Sequence, residues 1–299
     1  MKRYALLILS LFLMAPLLPF AEPTDELNNT PNPSLSSGQY TVILYSDDKI
    51  VNLSSGYYHT CGILDNGSVS CWGNGMMGQL GNGGTGMQLS PTLTGSLGTG
   101  RTAVALSSGG YHTCAILDNG SVSCWGWNTY GQLGDGTSGS AADKYTPTQT
   151  SSLGANRTAV AISSGTYHTC VILDNGDVSC WGRGAYGQLG NGGTSNPNTP
   201  TLTGSLGAGR TAVALATGYY HTCAILDNGA VSCWGANFYG LLGNGGSSQQ
   251  NSPTLTSSLG ANRTAVAISS GSSIGFHTCA VLDNGLVSCW GSGGNGRLG

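Results

Sequence analysis

Short apolar segments recur along the whole chain, and glycine-rich polar stretches separate them. None of the segments shows the 3.6-residue period of an amphipathic helix. One representative stretch predicts strands at Thr102 to Leu106, Tyr111 to Leu117 and Val122 to Trp125, with a weaker outer strand around Pro147 to Thr150. A proline is tolerated in an edge strand because no ladder hydrogen bond is lost there. The pattern therefore predicts an all-β chain whose short strands come in groups of four.

These groups form an internal repeat. His-Thr-Cys, an apolar trio, Asp-Asn-Gly and then Val-Ser-Cys-Trp-Gly recur in order, and the copies contain all 5 His and all 10 Cys of the 299 residues. Length differences fall in polar stretches near Ser140 to Lys144 and Gly271 to Gly275, which marks those stretches as loops. Four-stranded units that end in Trp-Gly are typical of β-propeller blades. We place the five repeats at about 48–100, 101–156, 157–209, 210–262 and 263–299, the last of them incomplete.

The cysteine spacing predicts the register of the central hairpin in each repeat. Cys114 and Cys124 lie symmetrically about Asn119, so a three-residue Asp-Asn-Gly turn places them directly opposite each other at a non-hydrogen-bonded pair. A two-residue Asn-Gly turn would instead pair Cys114 with Trp125 and leave the thiols diagonal. We favour the three-residue turn. It predicts five disulfides, Cys61 with Cys71, Cys114 with Cys124, Cys170 with Cys180, Cys223 with Cys233, and Cys279 with Cys289.

Metal binding and catalysis are the chemical alternatives for the repeated residues. In each copy one His and both Cys project from the same face of the predicted hairpin, as metal ligands could. The motif lacks a fourth ligand and a Cys-x-x-Cys spacing, so we expect neither a metal nor another cofactor. A catalytic thiol would need one free thiolate beside an oriented base, not five equivalent pairs. We expect no enzyme activity, since the nominal non-repeated acids are only Asp135, Asp143 and Asp177.

The N-terminus carries the pattern of a targeting segment. Two basic residues precede an apolar run from Tyr4 to Phe20, and small and acidic residues follow it. We predict a secretory signal peptide at 1–21. An uncleaved N-terminal membrane anchor is the alternative, because the run approaches the length needed to cross a bilayer. Residues 22–47 have the composition of a linker, with a strand-like stretch at Tyr40 to Tyr45.

Charge and composition narrow the class of partner. Only 8% of the residues are charged and 50 are glycine, which suits short strands joined by tight turns. Removal of Lys2 and Arg3 with the leader takes the formal net charge from -3 to about -5. We expect no nucleic-acid partner, because neutralising phosphates requires clustered basic residues. The basic residues here fall mostly one per repeat, at Arg101, Arg157, Arg210 and Arg263.

The aromatic residues divide into a repeated set and a variable set. The repeated tryptophans could stack on sugar rings or pack between blades, and we favour packing between blades. These residues are Trp72, Trp125, Trp181, Trp234 and Trp290. The variable residues follow Trp-Gly in each copy, where loops on a repeated frame usually hold partner specificity. The candidate binding residues of these loops are Met76, Met77, Trp127, Tyr130, Tyr186, Phe238 and Tyr239.

The repeat resembles that of the regulator of chromosome condensation family. The shared pattern is Gly-x-x-His-Thr-x-x-x-Leu-x-x-Gly, a Val before Trp-Gly, and Gly-x-x-Gly-Gln-Leu-Gly. The matches in the second copy are Tyr111, His112, Thr113, Leu117, Gly120, Val122, Trp125, Gly126, Gly131, Gln132, Leu133 and Gly134, and the resemblance covers 49–299. It implies a propeller, usually of seven blades. In the family this architecture serves both a nucleotide exchange factor for a small GTPase and a secreted inhibitor of β-lactamases, so function does not follow from fold.

Five copies are fewer than the family's seven blades. We expect a fragment of a seven-bladed ring, because an open ring leaves an exposed sheet edge. In the alternative, Tyr40 to Tyr45 supplies the absent strand and closes a five-bladed ring.

The expected function is a secreted or cell-surface scaffold. It would bind an extracellular protein or glycan through variable loops on one propeller face, without chemistry. A guanine nucleotide exchange factor-like regulator of a small GTPase is one alternative, disfavoured by the paired cysteines and the leader. An inhibitor of a secreted hydrolase is the other.

Overall fold

The computed structural model describes residues 49–271 and 276–299. The predicted signal peptide, the linker and the stretch at 40–45 lie outside the described residues. Within the described residues, consecutive antiparallel strands form four sheets of four strands and a fifth of three. The strands are β1 (Ile50–Ser55), β2 (His59–Leu64), β3 (Val69–Gly73), β4 (Gln88–Leu93); β5 (Ala103–Ser108), β6 (His112–Leu117), β7 (Val122–Gly126), β8 (Lys144–Gln149); β9 (Ala159–Ser164), β10 (His168–Leu173), β11 (Val178–Gly182), β12 (Thr201–Leu202); β13 (Ala212–Thr217), β14 (His221–Leu226), β15 (Val231–Gly235), β16 (Gln250–Leu255); β17 (Ala265–Ser270), β18 (His277–Leu282) and β19 (Val287–Gly291).

Two single-turn 3₁₀ helices, Phe238–Gly240 and Gly294–Gly296, complete the regular structure of this part of the chain. We number the sheets 1 to 5 in chain order. No helix of the described segments is long and apolar enough to cross a membrane.

The predicted hairpin register is confirmed. Cys114 pairs with Cys124 across β6 and β7. Leu117 N–H donates to Ser121 O at 2.8 Å, and Gly120 N–H donates to Leu117 O at 2.8 Å, so the turn has three residues. Gly120 takes a positive φ of 76°, which a side chain would disfavour. The symmetric cysteine spacing was therefore sufficient to set the register.

Each pair of opposed cysteines is joined by a disulfide in the structure. The Cα atoms of every pair are 4.1 Å apart, because the pairs occupy non-hydrogen-bonded positions where strands approach most closely. All ten cysteines lie in the described residues, and none is free. No group of three or more His, Cys, Asp or Glu in that part of the chain has metal-site geometry.

The ends of all four strands predicted in the second repeat differ from those observed, by one or two residues for the first and third strands, which are Ala103–Ser108 and Val122–Gly126. The outer strand β8 spans Lys144–Gln149 rather than starting around Pro147. The second strand begins at His112, so Tyr111 lies in the preceding loop rather than in the strand. The difference arises because a β-favouring aromatic residue continues the apolar run without joining the ladder. The same shift applies to the residue before the repeated His in every sheet, and these residues form part of the site below.

The sheets pack face to face, with an apolar core between each adjacent pair. The first strands of successive sheets contact one another, as the innermost strands of propeller blades do. The predicted packing role of the repeated Trp is confirmed in the interior sheets. Trp125, Trp181 and Trp234 are fully buried, and Trp125 of sheet 2 shares a core with Leu80 of sheet 1. A Cβ on Gly81 would lie 2.7 Å from the Trp125 indole, so glycine is required for this approach.

A polar ladder also crosses each interface between sheets. His59 Nε2 lies 2.8 Å from Thr113 Oγ1 of the next sheet, and Thr113 Oγ1 donates to Gln79 O at 3.0 Å. Since the hydroxyl has already donated its proton, His59 Nε2 must be the protonated nitrogen and donate to it. Trp125 Nε1 donates to the same Gln79 carbonyl at 3.0 Å. The equivalent His–Thr contacts are His112–Thr169, His168–Thr222 and His221–Thr278.

The outward faces of sheets 1 and 5 are less covered than those between them. Val69 is 1% exposed, whereas the equivalent Val287 of sheet 5 is 61% exposed. Leu106 is 9% exposed, whereas the equivalent Leu53 of sheet 1 is 60% exposed. Within the described residues these two faces therefore lack a covering sheet.

Candidate binding face

Two sets of loops at one end of the sheets carry aromatic side chains. Because consecutive strands are antiparallel, the loop after the first strand and the loop after the third leave each sheet at the same end. The first loop places one or two rings directly before the repeated His, and the second places rings after Trp-Gly. We call these twelve residues the aromatic band: Tyr57, Tyr58, Tyr111, Trp127, Tyr130, Tyr167, Tyr186, Tyr219, Tyr220, Phe238, Tyr239 and Phe276.

Ring contacts make the aromatic band continuous from sheet 1 to sheet 5. Most pairs meet edge to face, the geometry that the quadrupoles of two rings favour. Such a mesh holds the rings of separate loops in a common surface. The centroid distances along one path are 5.4 Å for Tyr57–Tyr111, 5.6 Å for Tyr111–Trp127, 5.5 Å for Trp127–Tyr167, 5.4 Å for Tyr167–Tyr219 and 5.9 Å for Tyr219–Phe276.

Exposure varies along the aromatic band. Tyr58 is 64% exposed on sheet 1, and Tyr239 is 72% exposed on sheet 4. Phe238 beside it is 47% exposed. The rings in the middle, such as Trp127 and Tyr167, are half-buried. A partner that covers the band would thus remove large apolar side chains from water at both ends of the surface, which favours association.

Arg183 lies in the middle of the aromatic band, on the loop after β11. Its guanidinium carbon is 5.0 Å from the ring centroid of Tyr130, 5.3 Å from Tyr167, 5.5 Å from Tyr186 and 5.2 Å from Tyr220. Rings from sheets 2, 3 and 4 therefore converge on one cation. The ring faces attract it electrostatically and hold it in place.

Arg183 has no acidic partner among the described residues, which distinguishes it from the four arginines that open repeats. Arg101, Arg157, Arg210 and Arg263 each form an ion pair with the Asp of the nearby Asp-Asn-Gly turn, at N–O distances of 3.1 to 3.4 Å. Those pairs lie at the opposite end of the sheets, where the second and third strands are joined. The described ion pairs do not include Arg183, whose guanidinium lies against ring faces instead.

Burial raises the pKa of three phenols of the aromatic band, those of Tyr57, Tyr219 and Tyr220. Tyr57 Oη lies 2.7 Å from Thr166 Oγ1, and burial raises the pKa of this phenol. Burial also raises the pKa of Tyr219 and of Tyr220 above the ordinary value. Tyr167 Oη and Tyr219 Oη are 3.2 Å apart, within hydrogen-bond distance. Tyr219 and Tyr220 therefore offer hydroxyl donors and acceptors without adding negative charge near Arg183.

Buried asparagines shape the loops that carry the variable rings. Asn128 is fully buried, and its Oδ1 accepts from Leu133 N at 3.0 Å, which folds the loop back towards the core. Asn237 holds Leu242 N in the same way at 2.9 Å. The acids of the sheet 2 loop serve this folding too, since Asp143 accepts from Asn128 N and Asp135 pairs with Lys144. Rigid loops of this kind present their rings in a fixed arrangement.

The structure brings five of the seven sequence-predicted binding residues into the aromatic band. Trp127 contacts Tyr130 at 5.5 Å, and Tyr186 contacts Phe238 at 5.7 Å between ring centroids. Tyr239 contacts Phe276 at 6.3 Å. Met76 and Met77 lie on the equivalent loop of sheet 1, exposed by 66% and 37%.

Sequence reasoning missed Arg183 and the rings that precede each repeated His. The signal for those rings was present, because every His follows directly on an aromatic residue: Tyr58, Tyr111, Tyr167, Tyr220 and Phe276. The strand-forming character of such a residue instead predicts that it begins the strand, as at Tyr111. No repeat pattern marked Arg183, which has no equivalent in the other copies.

Comparison with known proteins defines the class. The fold is that of a β-propeller whose sheets carry an aromatic surface at one end. A family model described as "RCC1-like domain" matches residues 22–299. The chain belongs to the RCC1-like domain family. Among curated relatives, the ultraviolet-B receptor UVR8 of Arabidopsis thaliana is 30% identical over 251 residues, which cover 84% of this chain and 55% of that protein.

Solved structures share the fold. Human WBSCR16 superposes with a TM-score of 0.73 at 24% identity, over 84% of this chain and 63% of that chain. Prp20p from Saccharomyces cerevisiae superposes with a TM-score of 0.68 at 23% identity, over 77% and 56% of the two chains. The present chain thus spans little more than half the length of UVR8 and less than two thirds of either structure.

Proposed function

We propose that this chain is a secreted or cell-surface scaffold that binds a partner protein or glycan with its aromatic band and performs no chemistry. The observation that carries the proposal is the band itself. Loops of all five sheets contribute to it, and their rings already contact one another in the unbound chain. A surface organised before binding loses little side-chain freedom on association, which favours affinity.

A binding role agrees with what the polar residues do. The buried histidines donate to threonines of neighbouring sheets, and the cysteines are joined in pairs. The non-repeated acids Asp135 and Asp143 support a loop, and Asp177 lies within hydrogen-bond distance of Asn175 in its own turn. These groups are occupied by structural contacts, so they are poorly placed for acid–base or nucleophilic work.

Export is supported by the sequence pattern of residues 1–21 and by the disulfides. Disulfides form and persist in oxidising compartments, whereas cytosolic thiols are kept reduced. Prp20p, whose structure was described together with its binding to Gsp1p and histones, shares the fold at 23% identity. For the present chain, the disulfides disfavour the nucleotide-exchange alternative, because disulfides persist in oxidising compartments and not in the cytosol. Inhibition of a secreted hydrolase is a special case of the proposed binding role.

Expression of the full chain in a secreting host tests export. We expect a mature N-terminus at Glu22 and an intact mass, measured without reductant, that lacks the ten hydrogens lost on forming five disulfides. Retention of residues 1–21 in a cytosolic product with ten free thiols would contradict the proposal.

Two matched variants test the binding face. The first replaces Tyr58, Phe238 and Tyr239 by Ala, and the control replaces Leu89, Leu202 and Leu255, exposed apolar residues of the outer strands. Partners captured from the native extracellular medium are compared by quantitative mass spectrometry. We expect the specific partner to be lost with the first variant and kept with the second. The opposite pattern would place binding elsewhere.

A further inference from the structure

Arg183 carries a charge that the described part of the molecule leaves without an acidic partner. A guanidinium stays protonated in proteins and offers five N–H donors in a planar fork. The rings of Tyr130 and Tyr167 attract the cation, but ring faces are weaker acceptors than a carboxylate. One polar contact is with Tyr220, whose phenol is a hydrogen-bonding neighbour of Arg183. The fork therefore retains donor capacity for an anionic group.

Access to Arg183 is consistent with a ligand reaching it. The side chain is half-buried rather than enclosed, and it lies between rings of three sheets at the loop end of the molecule. Partial burial strengthens a charge-assisted hydrogen bond, because less water competes for the donors. Burial raises the pKa of the nearby Tyr219 and Tyr220, so these two phenols add no negative charge that would compete for the guanidinium.

The chemistry around Arg183 favours a protein partner over a glycan. Tyr, Trp and Arg are the residues that dominate the energetic centres of protein interfaces. Sugar stacking uses open ring faces, whereas four central rings already turn towards the guanidinium.

We propose that Arg183 is the carboxylate-binding residue of the aromatic band, and that the partner is a protein presenting an Asp or Glu side chain flanked by apolar residues. The inference rests on the proposed function and deepens it. The carboxylate would engage the guanidinium fork, and the apolar flanks would cover the rings on either side, including Trp127 and Phe238. Charge-assisted bonds of this kind contribute substantially to affinity when they are desolvated.

A peptide-display selection against the immobilised full chain tests this assignment. The probes are random peptides of twelve residues, and the bound fraction is eluted with soluble protein. We expect the enriched peptides to carry Asp or Glu beside aromatic or aliphatic residues. Each enriched peptide is then synthesised in two forms, one with its Asp or Glu and one with the corresponding Asn or Gln. Comparing the two forms tests the carboxylate without changing the protein.

Arg183→Gln and Arg210→Gln form the matched protein pair. Arg210 is paired with Asp227 at the opposite end of the sheets, so its replacement controls for loss of one positive charge. We expect the acid-to-amide change and Arg183→Gln each to weaken binding by about tenfold or more, with little further loss when both are combined. Arg210→Gln should leave affinity unchanged.

The contrary outcomes separate the two proposals. Peptides that lose affinity with Tyr58→Ala or Phe238→Ala but not with Arg183→Gln would overturn the carboxylate assignment and leave the aromatic band as a binding face. Peptides insensitive to every band substitution would overturn the proposed face as well. Arg183-dependent binding confined to anionic glycans on an array, with no peptide enriched, would overturn the choice of a protein partner.

Discussion

At the residue scale, the repeated histidine is a structural donor. His59, His112 and His168 each donate from Nε2 to a threonine whose hydroxyl donates to a backbone carbonyl, and each leaves Nδ1 buried without a partner. Burial lowers the pKa of His59 and His221 to about 4, and that of His112 and His168 to about 3. The fold therefore requires these side chains to be neutral.

This requirement predicts an early loss of stability on acidification. An unfolded histidine titrates near pH 6.5, so below that pH the unfolded chain binds more protons than the folded one. The stabilisation is complete above pH 6.5 and falls towards pH 4, by roughly 1–2 kcal/mol per histidine between pH 7 and pH 5. Urea unfolding at a series of pH values should show this loss of stability. At pH 5, unfolding should be accompanied by the uptake of about four protons. Stability that stays flat from pH 7 to pH 5 would contradict the interpretation.

The threonine that accepts from each histidine gives a second residue-scale prediction. Thr113→Val removes the acceptor of His59 and leaves a buried N–H donor unpaired, so we expect a loss of about 1–3 kcal/mol in the free energy of unfolding. The matched control is Thr60→Val. Thr60 is equivalent in sequence but half-buried on the outward face of sheet 1. Denaturant titration should show a change within about 0.5 kcal/mol there. Equal losses at the two positions would refute the role of the interface ladder.

At the scale of elements, the sequence was most informative about the central hairpin. Two cysteines placed symmetrically about Asn119 determine the turn length and hence the register, because a shift by one residue would turn every side chain to the other face. Strand ends were less predictable. Tyr111 has strand-forming character, yet it lies in a loop because the ladder begins at His112.

Disulfide removal is the test at this scale. Replacing Cys114 and Cys124 by Ser should lower the free energy of unfolding by about 2–3 kcal/mol, since the bridge closes a short loop. Local opening should also expose the turn at Asp118 to proteases. Limited proteolysis mapped by mass spectrometry, together with denaturant unfolding, measures both effects. The same change at Cys279 and Cys289, on the less covered sheet 5, should cost less. Unaltered cleavage and stability in the first variant would contradict this account.

At the scale of the whole molecule, the repeat predicted the propeller but only part of the aromatic band. Interior packing follows from positions that recur in every copy, such as Trp125 and Trp181, so a pattern reveals it. The surroundings of Arg183 come from three sheets and from loops that differ between copies. A single sequence holds no periodic signal for such a site, because only the closure of sheet against sheet brings Tyr130 and Tyr220 to the same cation.

The central claim is that the aromatic band is the binding face. Hydroxyl-radical footprinting of the full chain, with and without a captured partner, measures it directly, since aromatic side chains react readily when exposed. We predict strong protection of Tyr58, Phe238 and Tyr239 in the complex, with the exposed outer-strand residue Tyr145 unchanged as an internal control. Protection of Tyr145 with no change at the three band residues would contradict the claim.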